Sequence, residues 1–283
     1  MLVNAIKILN NAKEGGYAIP QFNINGLEWT RYILEESEEL KSPVILGVSE
    51  GAAKYIGGYK TVFNMVSGLL DDLNITVPVV LHLDHSSSLK SCIKAIDNGF
   101  TSVMIDASNQ EIEENINVTG EVVLYARERK VSVEGEMGSI GGAEDEIKGE
   151  VSYAKVDDCI RLSTETGLDL LAPALGSVHG LYKGKPKLDF IKMKKIKDKT
   201  GKPLVLHGGT GIPDDMIKKA IESGVAKINI NTELQIVWAK EVRKHLNENK
   251  DSIDPRKIIS AGKDAIKKVV KNKILLFNSN NKA

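Results

Sequence analysis

Cysteine is almost missing from this chain: Cys92 and Cys159 are the only two among 283 residues, and they form no CxxC pair. Two thiols in so long a chain do not make a disulfide framework, and a reducing, cytoplasmic setting is expected. Net charge is missing too. The 38 basic residues match the 38 acidic ones, so no overall field draws the chain to nucleic acid or to an anionic membrane. An anionic ligand would need a positive site built locally. No run of about 18 apolar residues occurs, so no membrane-spanning helix is expected. Lys7, Lys13 and Glu14 interrupt the apolar stretch that a signal peptide requires. Arginine is scarce, with six residues against abundant lysine, a bias read as genome composition rather than function. No low-complexity linker or break in composition divides the chain, so residues 1–283 are read as one domain.

What is present is an alternation. Short β-branched runs recur between longer segments of helical periodicity, the pattern of βα units around a parallel sheet. Eight strands are predicted, at 18–24, 43–49, 78–84, 102–108, 131–138, 170–176, 203–208 and 226–231. The first 15 residues form an additional helix placed to plug the bottom of a barrel. Residues 30–40 carry Ile33, Leu34 and Leu40 on one side and acids on the other. Pro213 followed by Asp214 and Asp215 marks a helix start. The segment 255–274 sets Ile259, Ile266, Val269, Val270 and Lys273 at helical spacing, as a packing helix does.

On pattern alone an open doubly wound sheet fits as well as a barrel. The strand ends separate the two. Nearly every predicted strand closes on a polar residue: Asn23, Ser49, Asp84 with His85, Asp106, Glu134 with Glu136, His179 just beyond its strand, His207, and Asn229 with Asn231. A parallel barrel gathers all of these on one face, where barrel active sites are built. The predicted fold is therefore α/β, a single (β/α)8 TIM barrel with an extra N-terminal helix.

Five histidines are available, and three of them, His85, His179 and His207, stand at or just past strand ends. Neutral imidazoles converging from separate strands, with a position left open, describe a catalytic zinc site. His245 lies in a charged helix and is read as a surface residue. His82 precedes Asp84 by two on the same strand face and is given a packing or supporting role. Asp84, directly before His85, can exchange a proton with a substrate hydroxyl, or it can orient a metal-bound histidine. Asp106, Glu134 and Glu136 would repel one another unless cations or protons intervene. Asp106 and Glu136 fit a second metal position, and a salt bridge to an interior lysine such as Lys227 fits as well. The turns after His179 and around Gly208-Gly209-Thr210 allow close backbone approach to a phosphate. Gly141 to Asp145 reads as a mobile loop that carries an acid, or as a solvated turn.

With these residues in place, the chain resembles the class II fructose-bisphosphate aldolases. The matching stretches are AIPQFN, HLDH, MIDAS, VEGEMG with GGAED, LAPALGSVHG, PLVLHGGTGIP, KININTE and DPR, in family order over nearly the whole length. The resemblance implies a lyase of glycolysis and gluconeogenesis that splits fructose 1,6-bisphosphate into dihydroxyacetone phosphate and glyceraldehyde 3-phosphate. It implies catalytic Zn2+ on His85, His179 and His207, a second divalent metal at Asp106 and Glu136, and an accompanying Na+ or K+. Asp84 would be the acid/base at the C4 hydroxyl, and Glu144 would move the carbon-bound proton. Asn23, Ser49, Gly180, Gly208, Gly209, Thr210, Asn229, Ile230, Asn231 and Thr232 match substrate-binding positions. Arg256 matches an arginine reaching the far phosphate from a neighbouring subunit, which implies a homodimer or homotetramer.

Asn231 and Gln235 depart from the aspartate and arginine that other members carry, which leaves tagatose 1,6-bisphosphate as a rival substrate. A Schiff-base aldolase would need one desolvated lysine. A zinc amidohydrolase would usually place an HxH pair on the first strand, which has no histidine here. A non-catalytic sugar-phosphate-binding barrel would need neither Asp84 nor the three histidines.

Overall fold

The fold is given by a computed structural model that describes residues 1–144, 147–149, 152–182 and 184–283. In chain order the strands are β1 (Ile19–Asn23), β2 (Val44–Ser49), β3 (Val79–Ser86), β4 (Ser102–Ile105), β5 (Ser132–Met137), β6 (Gly141–Glu144), β7 (Ile147–Gly149), β8 (Leu170–Pro173), β9 (Val178–His179), β10 (Leu204–Leu206) and β11 (Val225–Ile230). The helices are α1 (Ala5–Gly15), α2 (Leu27–Glu39), α3 (Glu50–Ile56), α4 (Tyr59–Asp72), α5 (Leu89–Asp97), α6 (Ile112–Arg127), α7 (Val156–Thr166), α8 (Phe190–Thr200), α9 (Asp214–Glu222), α10 (Thr232–Glu248), α11 (Pro255–Ser260) and α12 (Lys263–Leu276). Eight parallel strands close into a barrel in the order β1-β11-β10-β8-β5-β4-β3-β2. The predicted strands and the predicted barrel are thus present, with several strands a few residues shorter at their ends.

Alternation along the strands explains where the polarity goes. One set, including Phe22, Leu46, Val48, Leu81, Leu83, Val103, Val133, Leu171 and Ile228, is buried in a core shared with the surrounding helices. The other set rises through the barrel in layers. At the bottom, Ile19, Ile45, Val80, Leu170 and Val205 pack on Ile8, Leu9 and Ala12 of α1, so the first helix closes that end. Asn4 caps α1 by accepting from the Ile6 N–H, and Gly16 ends it at φ 65°. Above this layer come Gln21, His82, Glu134 and Lys227, all buried. The layer above that carries Asn23, Asp84, Glu136, His207 and Asn229. An apolar plug below and an apolar jacket outside leave the upper barrel as the place for charge.

Two segments differ from expectation. The helix predicted over 255–274 is two helices, broken at Ala261–Gly262. The cause is Trp238, whose indole N–H donates to the Ile259 carbonyl at 3.1 Å. A side chain at Gly262 would stand 2.3 Å from Trp238 Cδ1, so the backbone turns where only glycine fits. The stretch read as a loop after β5 is a hairpin instead. Its strand β6 pairs antiparallel with β7 and parallel with β9, setting Gly141 beside Val178 and Gly142 beside His179. Asp145 lies outside the described residues.

Candidate metal and substrate site

His85, His179 and His207 come together as expected, each offering a ring nitrogen within a set whose members lie no more than 4.8 Å apart. Their rings are 4.5 to 5.8 Å apart, centroid to centroid. His85, the last residue but one of β3, is in a left-handed conformation, φ 50°, which is uncommon for a non-glycine residue and turns the ring at the strand end. His179 is held by β9 and His207 follows β10 directly.

The hydrogen bonds assign the tautomers. His85 Nδ1 lies 2.9 Å from Asp106 Oδ2, and His207 Nε2 lies 2.8 Å from Glu134 Oε1. Ionised carboxylates only accept, so both of these nitrogens donate. The remaining nitrogens, His85 Nε2 and His207 Nδ1, face each other at 2.9 Å. Two lone pairs so placed require a cation between them or a proton on one of them. Burial opposes charge on His85, yet Asp106, Asp84 and Glu136 outweigh it and push its pKa up to about 10. For His207, burial and the neighbouring His85 dominate, and its pKa falls to about 4. The donor set therefore fits a divalent metal, with Asp106 and Glu134 orienting the ligands from behind.

Asp106 and Glu136 also come together with His85, as a second group of metal-ligating atoms. Asp106 is further held through Oδ1 by the backbone N–H and hydroxyl of Ser108. Glu136 is driven well above the usual carboxylate range by burial and by Asp106. Its Oε2 is buried with no hydrogen-bond partner among the described residues, which fits a position a cation could relieve. Glu134 makes the lysine salt bridge that the sequence offered for this carboxylate group. Its Oε2 is 2.6 Å from Lys227 Nζ, and neither side chain is more than 1% exposed. Burial alone would raise the Glu134 pKa, but Lys227 and His207 pull it below the ordinary range. That ion pair engages Lys227, the one fully buried lysine among the described residues and so the candidate Schiff-base nucleophile. His82 supports the same layer: Nδ1 contacts Ser102 Oγ at 2.8 Å, and burial with Lys227 lowers its pKa to about 3.

Asp84 is buried between two amides. Asn23 Nδ2 donates to its Oδ2 at 3.0 Å, and Asn229 Nδ2 lies 3.4 Å from its Oδ1. Burial works against its charge, but His85, His207 and Lys227 hold the carboxyl well below its usual range. Ser49 caps α3 by accepting from the Ala52 N–H at 3.1 Å.

The glycine turns lie against the histidines. A side chain at Gly208 (φ 66°) would meet the Val178 carbonyl at 2.1 Å, and one at Gly209 would meet Ile228 Cγ2 at 2.7 Å. Gly180 follows His179 at φ 80°. Thr210 is buried and accepts from the Glu233 N–H at the start of α10. Ile230 ends β11, Asn231 stands at the N-cap position of α10 without a side-chain capping bond, and Thr232 opens the helix. Arg256 is not drawn to this mouth; its guanidinium clamps Asp254, the N-cap residue of α11, and its side chain is 89% exposed. The backbone of Glu144 ends β6, and its side chain lies outside what the structure describes. His245 is half-buried, with Nε2 3.0 Å from Ser252 Oγ.

Two supporting residues were not anticipated. Tyr182 takes a hydrogen bond from the Val178 N–H and donates to the Gly208 carbonyl, tying together the turns that carry His179 and His207. No spacing rule points to it. Gln21 stands two residues before Asn23, and its place on the inward face was readable from alternation.

A family model described as fructose-bisphosphate aldolase class-II matches residues 3–282. The chain is 59% identical to the fructose-bisphosphate aldolase of Geobacillus stearothermophilus, covering all of this chain and 99% of that one. It is 57% identical to the Staphylococcus epidermidis (strain ATCC 12228 / FDA PCI 1200) protein of the same name at the same coverage. Among solved structures, the YdjI aldolase from Escherichia coli K12 superposes with a TM-score of 0.86 at 34% identity over the full length of both chains. A fructose-bisphosphate aldolase from Campylobacter jejuni gives 0.84 at 26% identity, covering all of this chain and 97% of that one.

Proposed function

The chain belongs to the class II fructose-bisphosphate aldolase family, and we propose that its barrel mouth reversibly cleaves fructose 1,6-bisphosphate into dihydroxyacetone phosphate and glyceraldehyde 3-phosphate. The observation that carries the site assignment is the convergence of His85, His179 and His207 beside a buried Asp84. In this reading the three histidines hold zinc, with a second divalent ion at Asp106 and Glu136 and a monovalent cation near the phosphate. Zinc, when bound, supplies a Lewis acid for the negative charge that develops on the ketose oxygen.

The chain's own residues do the rest. Asp84 takes the proton of the C4 hydroxyl as the C3–C4 bond breaks, and Asn23 and Asn229 hold its two oxygens in place. Gly180, Gly208, Gly209 and Thr210 bind one phosphate through close backbone approach, together with residues 229–232, where β11 ends and α10 begins. Ser49 contacts the sugar. Glu144 returns a proton to the carbon, and Arg256 reaches the second phosphate of a neighbouring copy, which makes a homodimer or homotetramer part of the site. Among the described residues no helix is long and apolar enough to cross a membrane. With both cysteines free and buried, we place the enzyme in a reducing cytoplasm as one domain.

The test follows triose phosphate released from fructose 1,6-bisphosphate before and after a chelator, then after zinc is restored. Activity that disappears and returns supports the reading. Release from tagatose 1,6-bisphosphate alone would move the assignment to the other C4 epimer. Activity indifferent to the chelator would refute the metal site.

A further inference from the structure

We infer that Gln21 is a positioning residue for carbon–carbon cleavage: it sets the amide of Asn23, and through that amide the carboxylate of Asp84. The inference rests on the reading of Asp84 as the group that moves the C4 hydroxyl proton.

Alternation on β1 places Gln21 directly beneath Asn23, with neither exposed to solvent by more than 5%. Gln21 Nε2 donates to Asn23 Oδ1 at 3.3 Å, and Asn23 Nδ2 donates to Asp84 Oδ2 at 3.0 Å. The direction of this chain follows from its end. An ionised carboxylate accepts only, so Asn23 must turn its NH2 upward, and its oxygen then needs a donor from below. Gln21 is that donor. Without it, the Asn23 amide could flip and present oxygen to oxygen at Asp84.

Two further observations show a place made for this pair. Asn23 lies beside Gly47 of β2 in the sheet register. A Cβ at Gly47 would stand 2.5 Å from Gln21 Nε2 and 3.1 Å from Asn23 Oδ1, so the neighbouring strand leaves exactly this amide contact its room. Gln21 Oε1, in turn, is buried with no hydrogen-bond partner among the described residues. A half-satisfied amide in a barrel interior is a standing cost to folding that methionine would avoid. Stability alone does not favour glutamine here; its one hydrogen bond toward Asn23 does.

The experiment uses the full-length, zinc-loaded protein and two rates. One is cleavage of fructose 1,6-bisphosphate. The other is exchange of the C3 proton of dihydroxyacetone phosphate with solvent, which uses the metal and phosphate sites but no C4 hydroxyl. Gln21→Met keeps the volume and removes the donor, and Gly47→Ala crowds the same amide from the side. Both should lower the cleavage kcat by about five- to tenfold, the worth of one neutral hydrogen bond. KM and the exchange rate should stay within about twofold of the parent. Asp84→Asn serves as reference, with cleavage lost and exchange kept. Unchanged cleavage in both variants overturns the inference, and so does exchange that falls in step with cleavage, since that marks general damage to the barrel. Loss of exchange in Asp84→Asn removes the underlying reading of Asp84, and the inference goes with it.

Discussion

Replacing Lys227 with methionine tests the electrostatics beneath the metal site most directly. The lysine and Glu134 are 2.6 Å apart and essentially without solvent, so the substitution strands a carboxylate in the barrel with His207 as its remaining close partner. Removing one member of a buried pair costs about 3–5 kcal/mol. At roughly 2–4 °C per kcal/mol for a chain of this size, the metal-free protein should lose about 10 °C in Tm near pH 8. The sign of the pH dependence follows from Glu134. In the parent its pKa is depressed by Lys227, so it contributes stability above the unfolded carboxylate pKa that is lost toward acid. In the variant burial dominates and raises it, so that stability is lost as pH rises. The gap between the two proteins should therefore close as pH falls. A protonated Glu134 also no longer enforces the His207 Nε2–H tautomer, and zinc affinity should drop about 10- to 100-fold. Thermal unfolding by circular dichroism and zinc competition with a chelating dye measure both effects. Adding Glu134→Gln should recover most of the lost stability. A single variant that loses less than about 1 kcal/mol and binds zinc like the parent would refute the reasoning.

Further outcomes follow from the geometry. Gly208→Ala must shift the Val178 carbonyl, 2.1 Å from the new Cβ, in a backbone at φ 66°. Because Val178 precedes His179, zinc affinity should fall at least tenfold, and parental affinity in the dye competition would contradict this. Glu38→Gln should cost about 1–3 kcal/mol, since Glu38 accepts from the Thr76 and Val77 N–H groups and pairs with Lys41. Its burial raises the pKa, but Lys41 and Thr76 bring it down to about 2. The parent should lose this stability as pH falls below about 4, and the variant should lack that part of the acid slope in urea titrations. Glu144→Ala should abolish C3 proton exchange on dihydroxyacetone phosphate while leaving zinc content unchanged; normal exchange would remove Glu144 from the scheme. Arg256→Ala should raise KM for the bisphosphate at least tenfold with little change in exchange, and an unchanged KM would exclude it from phosphate binding.

Much of this site was legible in the chain. Barrel topology sends every strand end to one face, so locating Asp84, His85, Asp106, Glu136, His207 and Asn229 at strand ends was already enough to assemble them. His179 was legible for the same reason, although it sits on β9, a short strand of its own. The break at Gly262 was not legible, because helical periodicity runs straight through it and the obstacle is Trp238, 24 residues earlier. The hairpin after β5 was missed because glycine-rich, charged sequence carries no strand pattern. Its pairing comes from the backbone of Val178 and His179.

The division has a physical basis. Periodicity, strand-end chemistry and glycine turns act over a few residues, and they determined the fold class and which side chains face the mouth. The partnerships depend on which strands become neighbours across the barrel. Sequence left the group of Asp106, Glu134 and Glu136 open to cations or to an interior lysine; closure of the barrel brought Lys227 to Glu134 Oε2 and His207 to its Oε1. Sequence likewise placed Asn23 near substrate. Only the tertiary structure stacked it between Gln21 and Asp84, because a hydrogen-bond direction is fixed by donors and acceptors that meet after the chain has folded.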